Sequence, residues 1–551
     1  MLEIICTNNN IRKKLPSGMT LKQIAAELNV VLPHPILGAK VNNKVRNLNY
    51  EIFSNKVITF IDATDPSGYA MYDRSLNFLL YKAVKDLYPT EDIIIKHAIS
   101  GGKYCEFENP DFKVTKEVVA NLLKYMKELV AADLPIVREE LPTEEAIALY
   151  KKEGLFDKEK LLKNRHLFYT SVYAIENTIN YFFGCLVPST SYLKYFDLAP
   201  YEDGFLLRTP SRQWPDKISP MKKSPKYFNI FKEHKEWIRL VEAPYVGDLN
   251  NLVRAGQTTA VVLVSEALQE KKVISIVDAI KKREGVKMVL LSGPSSSGKT
   301  TTCRRLSVQL GVLGFRPVQI SVDNYFVDRE FTPKDEKGNY DFEHIKAIDL
   351  DLLHENLSDL INGKEIDVPT FNFQQGKKTW LGNKLKLDEK SIIIMEGIHC
   401  LNPLLTEGLD AGLAFKVFVS ALPSIAMDKH NPIHSNDNRL IRRIIRDFNY
   451  RGYSAEETIR RWTSVRNGEE KWIFPFQENA DMMFNSALVC ELGLLKKYAF
   501  PILYRVPENI PEYTEAIKLK KLLDYFEVID DSVVPHYSIL REFFGGSVFT
   551  Y

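Results

Sequence analysis

The pattern of apolar and polar positions predicts a small β-rich unit at the front of the chain. In Thr20–Leu28 the apolar residues recur at helical spacing, and the threonine at its start is suited to cap a helix. Short apolar runs bounded by turn residues predict strands at Leu2–Cys6, Ile36–Val45 and Lys56–Ile61. We therefore expect one small domain over residues 1–66, with a larger α+β segment over residues 67–245.

The second half of the chain alternates apolar runs with helical patterns. The predicted strands are Lys287–Ser292, Pro317–Val322, Ser391–Met395, Phe415–Ser420 and Pro501–Val506. This alternation predicts an α/β domain over residues 286–551, in which a parallel sheet carries helices on both faces. Residues 246–285 are expected to connect the halves, through an apolar stretch at Gln257–Leu268 and an amphipathic helix at Val273–Lys282.

Composition narrows the class of protein. The chain has 551 residues, of which 45% are hydrophobic and 26% charged, so several globular domains are expected. The net charge of +2 argues neither for nor against nucleic acid. Six scattered cysteines form no C-x-x-C pair, which suits a reducing cytoplasm better than a disulfide scaffold or a zinc ribbon. No leader and no membrane-spanning apolar run is apparent, so we expect a soluble cytoplasmic protein without a membrane partner.

One segment carries a specific chemical signature. Gly293–Thr300 fits the pattern G-x-x-x-x-G-K-[ST] between a predicted strand and a predicted helix, which is the context of a phosphate-binding loop. The glycines allow the tight turn, Lys299 would reach the β- and γ-phosphates, and the Thr300 hydroxyl would ligate Mg²⁺. The expected ligands are ATP and Mg²⁺, and the residues expected to hold them are Gly293, Ser295, Ser296, Ser297, Gly298, Lys299, Thr300 and Thr301.

Two carboxylates follow the next predicted strands. Asp323 comes after the second strand, where an acid can accept the proton of an attacking hydroxyl. Glu396 comes after the third strand, on the side expected for the metal. Each alone could be a turn or capping acid, but both occur in order behind a phosphate loop.

An arginine-rich segment further on predicts an amphipathic helix. Leu440, Ile441, Ile444, Ile445 and Phe448 form one face, and the opposite face carries Arg439, Arg442, Arg443 and Arg446. Guanidinium groups beside a nucleotide neutralise charge on a transferring phosphoryl group, and Arg443 and Arg446 are the candidates for this role. A basic surface helix, or one that faces RNA, is the alternative.

Taken together, these motifs resemble the uridine kinase and phosphoribulokinase family over nearly all of residues 286–551. The matching segments are the phosphate loop, Asp323–Phe326, Asn339–Glu343, Ala347–Asp349, Val368–Phe373, Glu396–Ile398, Arg439–Asp447 and Arg451–Gly452. The resemblance implies that Asp323 is the catalytic base, that Asp341 binds the ribose hydroxyls and that Phe326 lies beside the nucleoside. It also implies that the arginine segment is a lid that closes over ATP.

The resemblance weakens where the family reads the base. Uridine and cytidine kinases use a tyrosine and a histidine at the positions that hold Phe371 and Gly376 here. The loss of two hydrogen-bonding groups would weaken base discrimination. Lys377 and Lys378 could instead favour a phosphorylated acceptor, so the acceptor stays open.

The front half resembles a different family. Pro16–Thr20, Ala39–Asn43 and Asp62–Gly68 resemble the TGS domain of threonyl-tRNA synthetases, although an unrelated β-grasp module is the alternative. Arg74–Pro89, Gly101–Phe107 and Val187–Phe196 resemble the editing domain that follows it. The family's two histidines, cysteine and further histidine are replaced by Arg74, Phe78, Phe182 and Leu186, so editing chemistry is expected to be lost.

Two hypotheses follow. The first is an ATP- and Mg²⁺-dependent kinase that acts on a nucleoside or a similar hydroxyl acceptor. The second is an RNA-binding or regulatory module that uses ATP as a switch, because lysines occur near aromatic residues in the front half, as Lys222, Lys223 and Lys226 do near Trp214 and Tyr227. Such a run is also typical of a solvated surface. The sequence is compatible with a homo-oligomer and does not define the oligomeric state.

Overall fold

A computed structural model describes residues 1–165, 167–335, 338, 340–372 and 374–550. Asn339 and Phe373, which belong to two of the segments quoted above, lie outside the described residues.

The front of the chain forms a mixed five-stranded sheet with its own core. In spatial order the strands are Ile11–Leu15, Leu2–Cys6, Lys56–Ile61, Gly38–Val41 and Lys44–Asn47, and a short pair joins Met19–Thr20 to Glu51–Ile52. The helix Leu21–Glu27 packs on this sheet, and Thr20 caps it as predicted, with Gln23 completing a capping box. The predicted strand Ile36–Val45 is split, because Asn42 and Asn43 both adopt positive φ and form a hairpin turn.

The following segment is built around the buried helix Pro66–Leu87. It contains two antiparallel sheets, one of four strands (Asp197–Tyr201, Gly204–Arg208, Gly102–Phe107, Ile93–Ile99) and one of three (Val137–Pro142, Tyr169–Ile175, Thr178–Asn180). Its other helices are Lys116–Ala131, Thr143–Lys152, Phe156–Lys163 and Pro225–Val241.

The connector contains the helix Val246–Arg254 and one long helix, Thr258–Lys282. The sequence patterns at Gln257–Leu268 and Val273–Lys282 thus belong to a single element. No glycine or proline interrupts the chain between them, so the helix continues.

The second half contains a five-stranded parallel sheet, as predicted. Its strands are β1 (Met288–Ser292), β2 (Arg316–Ser321), β3 (Ser391–Glu396), β4 (Ala414–Ser420) and β5 (Met482–Asn485), in the spatial order β2-β3-β1-β4-β5. Three helices bear on the site described below: α1 (Lys299–Val312), α2 (Ser435–Tyr450) and α3 (Ala455–Trp472). The remaining helices are Leu350–Ile361, Glu491–Leu503, Tyr513–Asp524 and Arg541–Phe544, and short hairpins pair Ile366–Asp367 with Lys384–Leu385 and Thr370–Asn372 with Lys377–Thr379.

The predicted strand Pro501–Val506 is wrong. Residues 491–503 form a helix that contains Pro501, and the fifth strand is Met482–Asn485 instead. The apolar run was ambiguous because apolar residues here also fit helical spacing: within the helix Leu495, Ala499, Ile502 and Leu503 are buried, whereas Pro501 is exposed.

The two halves share one continuous apolar core and a buried polar junction. The Lys158 side chain is fully buried, and its ammonium lies 3.1 Å from Asp428, 3.4 Å from Asp157 and 3.0 Å from His430 Nδ1. Lys158 belongs to the front half, whereas Asp428 and His430 follow β4. This contact therefore joins the front half directly to the loop that follows β4 of the parallel sheet.

Replacing Lys158 with methionine should destabilise the whole chain. A buried carboxylate left without its cation typically costs about 3–5 kcal/mol. The matched control is Lys160→Met on the same helix, because the Lys160 ion pair with Asp248 is half-exposed and should contribute about 1 kcal/mol or less. Urea unfolding of both variants gives the comparison, and equal effects would contradict the role assigned to the junction.

Over the part of the chain that the structure describes, no helix has the length and apolar character needed to cross a membrane.

Candidate active site

The site lies at the carboxyl edge of the parallel sheet, where three neighbouring strands end. Residue Leu291 of β1 pairs with Glu396 of β3, which in turn pairs with Ser321 of β2. The phosphate loop (Gly293–Thr300) begins two residues after Leu291, and Asp323 follows two residues after Ser321. Strand register alone therefore brings the loop and both predicted acids together.

Backbone geometry explains the glycines of the loop. A Cβ atom at Gly293 would lie 2.1 Å from the Val419 carbonyl oxygen, so no larger residue fits there. Ser296 and Gly298 adopt positive φ of 58° and 82°, which produces the tight turn before α1 begins. Such a turn directs successive backbone N–H groups toward one anion at the helix N-terminus.

The loop is fixed from outside by two buried arginines of α2. Arg439 Nε donates to the Ser295 carbonyl oxygen at 2.9 Å, and Arg442 Nη1 donates to that of Ser296 at 3.3 Å. The Ser486 hydroxyl donates to the next carbonyl, that of Ser297, at 2.6 Å. Three consecutive peptide planes are thereby held in place.

The four arginines of the predicted row differ in their surroundings. Arg439 and Arg442 are buried in ion pairs with Glu469 and Glu491. Arg443 reaches the loop, since its Nη1 donates to Ser295 Oγ at 2.7 Å while its Nε donates to Asp447 at 2.5 Å.

Arg446 lies further along the same helix. It is 3.9 Å from Glu542, and burial lowers its pKa to about 9. The predicted apolar face is buried except for Phe448, which is 37% exposed.

The remaining loop residues offer polar groups suited to phosphate and magnesium. The Ser296 and Ser297 hydroxyls are buried and have no hydrogen-bond partner among the described residues. The Thr300 hydroxyl donates to Glu396 Oε1 at 3.2 Å, which places two hard oxygen donors of the kind Mg²⁺ prefers side by side. These residues therefore fit an ATP–Mg²⁺ complex.

Lys299 interacts electrostatically with both predicted acids. Burial lowers the pKa of Lys299, and the charges of Glu396 and Asp323 oppose that shift. Burial raises the pKa of Asp323, and it raises the pKa of Glu396 to about 7. A carboxylate with a raised pKa is a stronger base, which suits the predicted role of Asp323 as the proton acceptor.

The predicted acceptor residues are Phe326, Phe371, Asp341 and Lys378. The rings of Phe326 and Phe371 pack with centroids 5.5 Å apart, and each residue is 9% exposed. The Asp341 backbone is held by the Pro333 carbonyl at 2.8 Å. Lys378 forms an ion pair with Asp349, so its charge is already compensated, and its contact with an acceptor stays a prediction.

The glycine that replaces the family's histidine has a structural reason. Gly376 has a positive φ of 68°, and a Cβ atom there would lie 2.8 Å from the Arg329 side chain. The Arg329 amide also donates to the Gly376 carbonyl at 2.8 Å. Arg329 therefore lies against the position at which the resemblance predicts an imidazole in uridine and cytidine kinases.

Three acids near the loop were missed from the sequence: Glu343, Glu469 and Glu542. The Glu469 carboxylate accepts from the Ser295 amide at 3.0 Å and pairs with Arg439 and Arg466. Glu343 packs against Gly468, because a Cβ atom at Gly468 would lie 2.3 Å from the Cβ atom of Glu343. Glu343 was available as part of the quoted segment Asn339–Glu343, whereas nothing local marks Glu469 or Glu542.

Glu343 should make stability depend on pH. Burial raises its pKa to about 7 from 4.5, with Glu469 and Asp341 adding to the shift and Arg443 opposing it. Between these values the folded chain retains a proton that the unfolded chain has lost, so stability falls as pH rises. Glu343→Gln should therefore gain thermal stability relative to the parent protein as pH increases from about 5 to about 8.

Melting curves across this pH range test the prediction, with the exposed Glu389→Gln as the control. A Glu343→Gln variant whose melting temperature differs from that of the parent by the same amount at every pH would refute it.

Comparison with known proteins identifies the second half. Residues 288–491 match the phosphoribulokinase / uridine kinase family. The uridine kinase of Staphylococcus epidermidis is 31% identical over 195 residues, which cover 35% of this chain and 84% of the relative. A uridine kinase of Staphylococcus aureus matches with the same identity and coverage. Among solved structures, "a Possible Uridine Kinase" from Bacillus stearothermophilus is 19% identical and covers 39% of this chain and 98% of its own, with a TM-score of 0.27.

Proposed function

Because the chain belongs to the phosphoribulokinase and uridine kinase family and is a kinase, we propose that it transfers the γ-phosphoryl group of ATP to a hydroxyl of a nucleoside resembling uridine or cytidine. One observation carries the proposal: the phosphate loop, Lys299, Asp323 and Glu396 converge at one edge of the parallel sheet. The loop with its Lys299, Asp323 and Glu396 come from three different segments, and each segment supplies a different part of phosphoryl transfer.

The nucleotide would be held by the loop amides and by Lys299. The loop amides would bind the phosphate oxygens, and the Lys299 ammonium would supply positive charge to the β- and γ-phosphates. Thr300 and Glu396 would hold Mg²⁺, which supplies positive charge to the phosphate oxygens as a Lewis acid. Arg443 and Arg446, both on α2, would add positive charge beside the transferring phosphoryl group.

Asp323 would act as the general base. The acceptor oxygen forms a bond to the γ-phosphorus as the bond to ADP breaks, and the hydroxyl proton passes to the Asp323 carboxylate. Its burial favours this step, because the raised pKa increases its affinity for the proton.

The acceptor pocket would discriminate weakly between bases. Asp341 would bind the ribose hydroxyls, while Phe326 and Phe371 offer an apolar surface for the base. Because Phe371 has no hydroxyl and Gly376 no imidazole, two polar contacts of the pyrimidine kinases are absent. The cytoplasm, where nucleosides and ATP occur together, is the proposed compartment.

The front half is proposed to be a TGS-like unit followed by a synthetase-like domain without editing chemistry. At the four positions where the synthetases carry ligands, Phe78 packs against Phe182 with ring centroids 5.2 Å apart and Leu186 is buried. Arg74 donates to the Cys185 carbonyl at 3.1 Å. Contact of this half with RNA, and self-association of the chain, stay predictions.

The proposal is tested by measuring ADP release from ATP with a set of acceptors. We expect uridine and cytidine to give the highest kcat/KM, with a ratio to the purine nucleosides smaller than that of the staphylococcal uridine kinases assayed in parallel. Restoring the tyrosine with Phe371→Tyr should raise the preference for pyrimidines. The proposal is wrong if no nucleoside stimulates ADP release.

A further inference from the structure

Glu542 makes an unexpected contact with the nucleotide-binding edge of the kinase domain. It lies beyond residues 288–491, on the short helix Arg541–Phe544. Its Oε2 accepts hydrogen bonds from both the hydroxyl and the amide of Thr301, at 2.7 and 3.3 Å. Thr301 is the residue directly after the phosphate-loop motif.

The Glu542 carboxylate occupies a position that a phosphate of a bound nucleotide would need. The amides at the end of a phosphate loop and at the start of its helix cradle the α- and β-phosphates, while the lysine reaches the β- and γ-phosphates. The amide and hydroxyl of Thr301 therefore face the part of the triphosphate nearest the ribose. In this structure both groups donate to an oxygen of Glu542 instead.

The surrounding contacts hold Glu542 against the loop. Ile539, Leu540 and Phe543 are completely buried, and a Cβ atom at Gly298 would lie 2.5 Å from Ile539. The Arg541 guanidinium stabilises this segment by donating hydrogen bonds to the carbonyl oxygens of Val534 and Pro535. The Glu542 carboxylate is therefore held against the loop by a packed segment.

Glu542 is weakly compensated compared with the other acid on the loop. Glu469 forms ion pairs with Arg439 and Arg466, so its negative charge is already compensated within the site. Glu542 has Arg446 at 3.9 Å, beyond hydrogen-bond distance, and it shares this cation with Asp447, which lies 3.8 Å from Arg446 Nε. The buried Nε of Arg446 has no hydrogen-bond partner among the residues described. A phosphate group would offer Thr301 and Arg446 the same kind of oxygen with greater charge.

We propose that Glu542 is an internal competitor for the nucleotide: its carboxylate takes the place of the phosphate nearest the ribose, and ATP binds by displacing it from Thr301. Arg446 then becomes available to the phosphates. The inference rests on the proposed function, because it assigns to Glu542 control over the nucleotide affinity of that same site. Part of the binding energy of ATP is used to displace the carboxylate, so the apparent affinity is lower than the loop alone would give.

The test compares Glu542→Gln and Glu542→Ala with Asp530→Asn, an exposed acid of the same C-terminal region that pairs with Lys497. Calorimetry measures the affinity of the full-length proteins for ATP, ADP and adenosine. Removal of a carboxylate adjacent to the phosphates should tighten ATP and ADP binding by at least about tenfold and leave adenosine unchanged. Asp530→Asn should match the parent protein for all three ligands.

A merely structural or positioning role for Glu542 gives a different result. If Thr301 needs Glu542 to hold the loop in shape, both variants will bind ATP no better, or worse, and the proposal is overturned. An equal gain for adenosine and ATP would also overturn it, because the effect would then not depend on phosphate. Tighter ATP binding by Glu542→Gln without transfer to any nucleoside would support the competitor role and refute the proposed function alone.

Discussion

Replacing Lys299 with alanine is expected to lower kcat for phosphoryl transfer by on the order of 10³-fold, because the variant loses a preorganised charge beside the transferring group. In the structure the Lys299 ammonium donates to the Pro294 carbonyl oxygen at 3.2 Å and interacts electrostatically with Glu396 and Asp323, while burial lowers its pKa. Arg439 and Arg443 of α2 also contact the loop, at the carbonyl oxygen and the hydroxyl of Ser295. Steady-state assays at saturating acceptor give the measurement.

The matched control for this change is Lys287→Ala, an exposed lysine directly before β1. It should retain full activity. Should Lys299→Ala keep more than about a tenth of the parent rate, the loop would not serve transfer in the way proposed here.

Replacing Asp323 with asparagine is expected to lower kcat by about 10²–10⁴-fold while nucleotide binding is retained. The amide has nearly the same shape as the carboxylate but does not accept the hydroxyl proton. Since the change also removes a negative charge close to Lys299, the affinity for ATP should stay the same or increase. Single-turnover transfer and calorimetric ATP titration separate the two effects.

For Asp323 the exposed Asp351→Asn serves as the control and should behave as the parent protein. An Asp323→Asn variant with unchanged kcat would exclude this residue as the base. Loss of ATP binding together with transfer would indicate that Asp323 holds the nucleotide instead.

The parallel sheet and the edge at which its ligands bind could be predicted from sequence because their signals are local. The phosphate loop is a short motif between a strand and a helix, Glu396 is the last residue of β3, and Asp323 lies two residues beyond the end of β2. Strand register then places them together without further information. Local signals gave the wrong element at Pro501–Val506. An apolar run there fits either a strand or a helix, and tertiary packing selects the helix.

The contacts that adjust the site could not be predicted, because they join residues distant in sequence. Arg439 and Arg442 look equivalent to Arg443 and Arg446 on a helical projection, yet buried partners on other elements, Glu469 and Glu491, withdraw them from the site. Glu542 reaches Thr301 across 241 residues of chain, and no pattern near either residue indicates the contact. From the sequence, Gly376 suggests only the loss of a histidine. The structure adds a reason for glycine, namely its positive φ and the close approach of the Arg329 side chain.

The central claim is tested most directly by following the labelled γ-phosphate of ATP in the presence of uridine or cytidine. Chromatographic separation of the products should show the label in a nucleoside monophosphate with the parent protein, and almost none there with Asp323→Asn. Label that appears only in inorganic phosphate, or that stays in ATP with every nucleoside offered, would contradict the account.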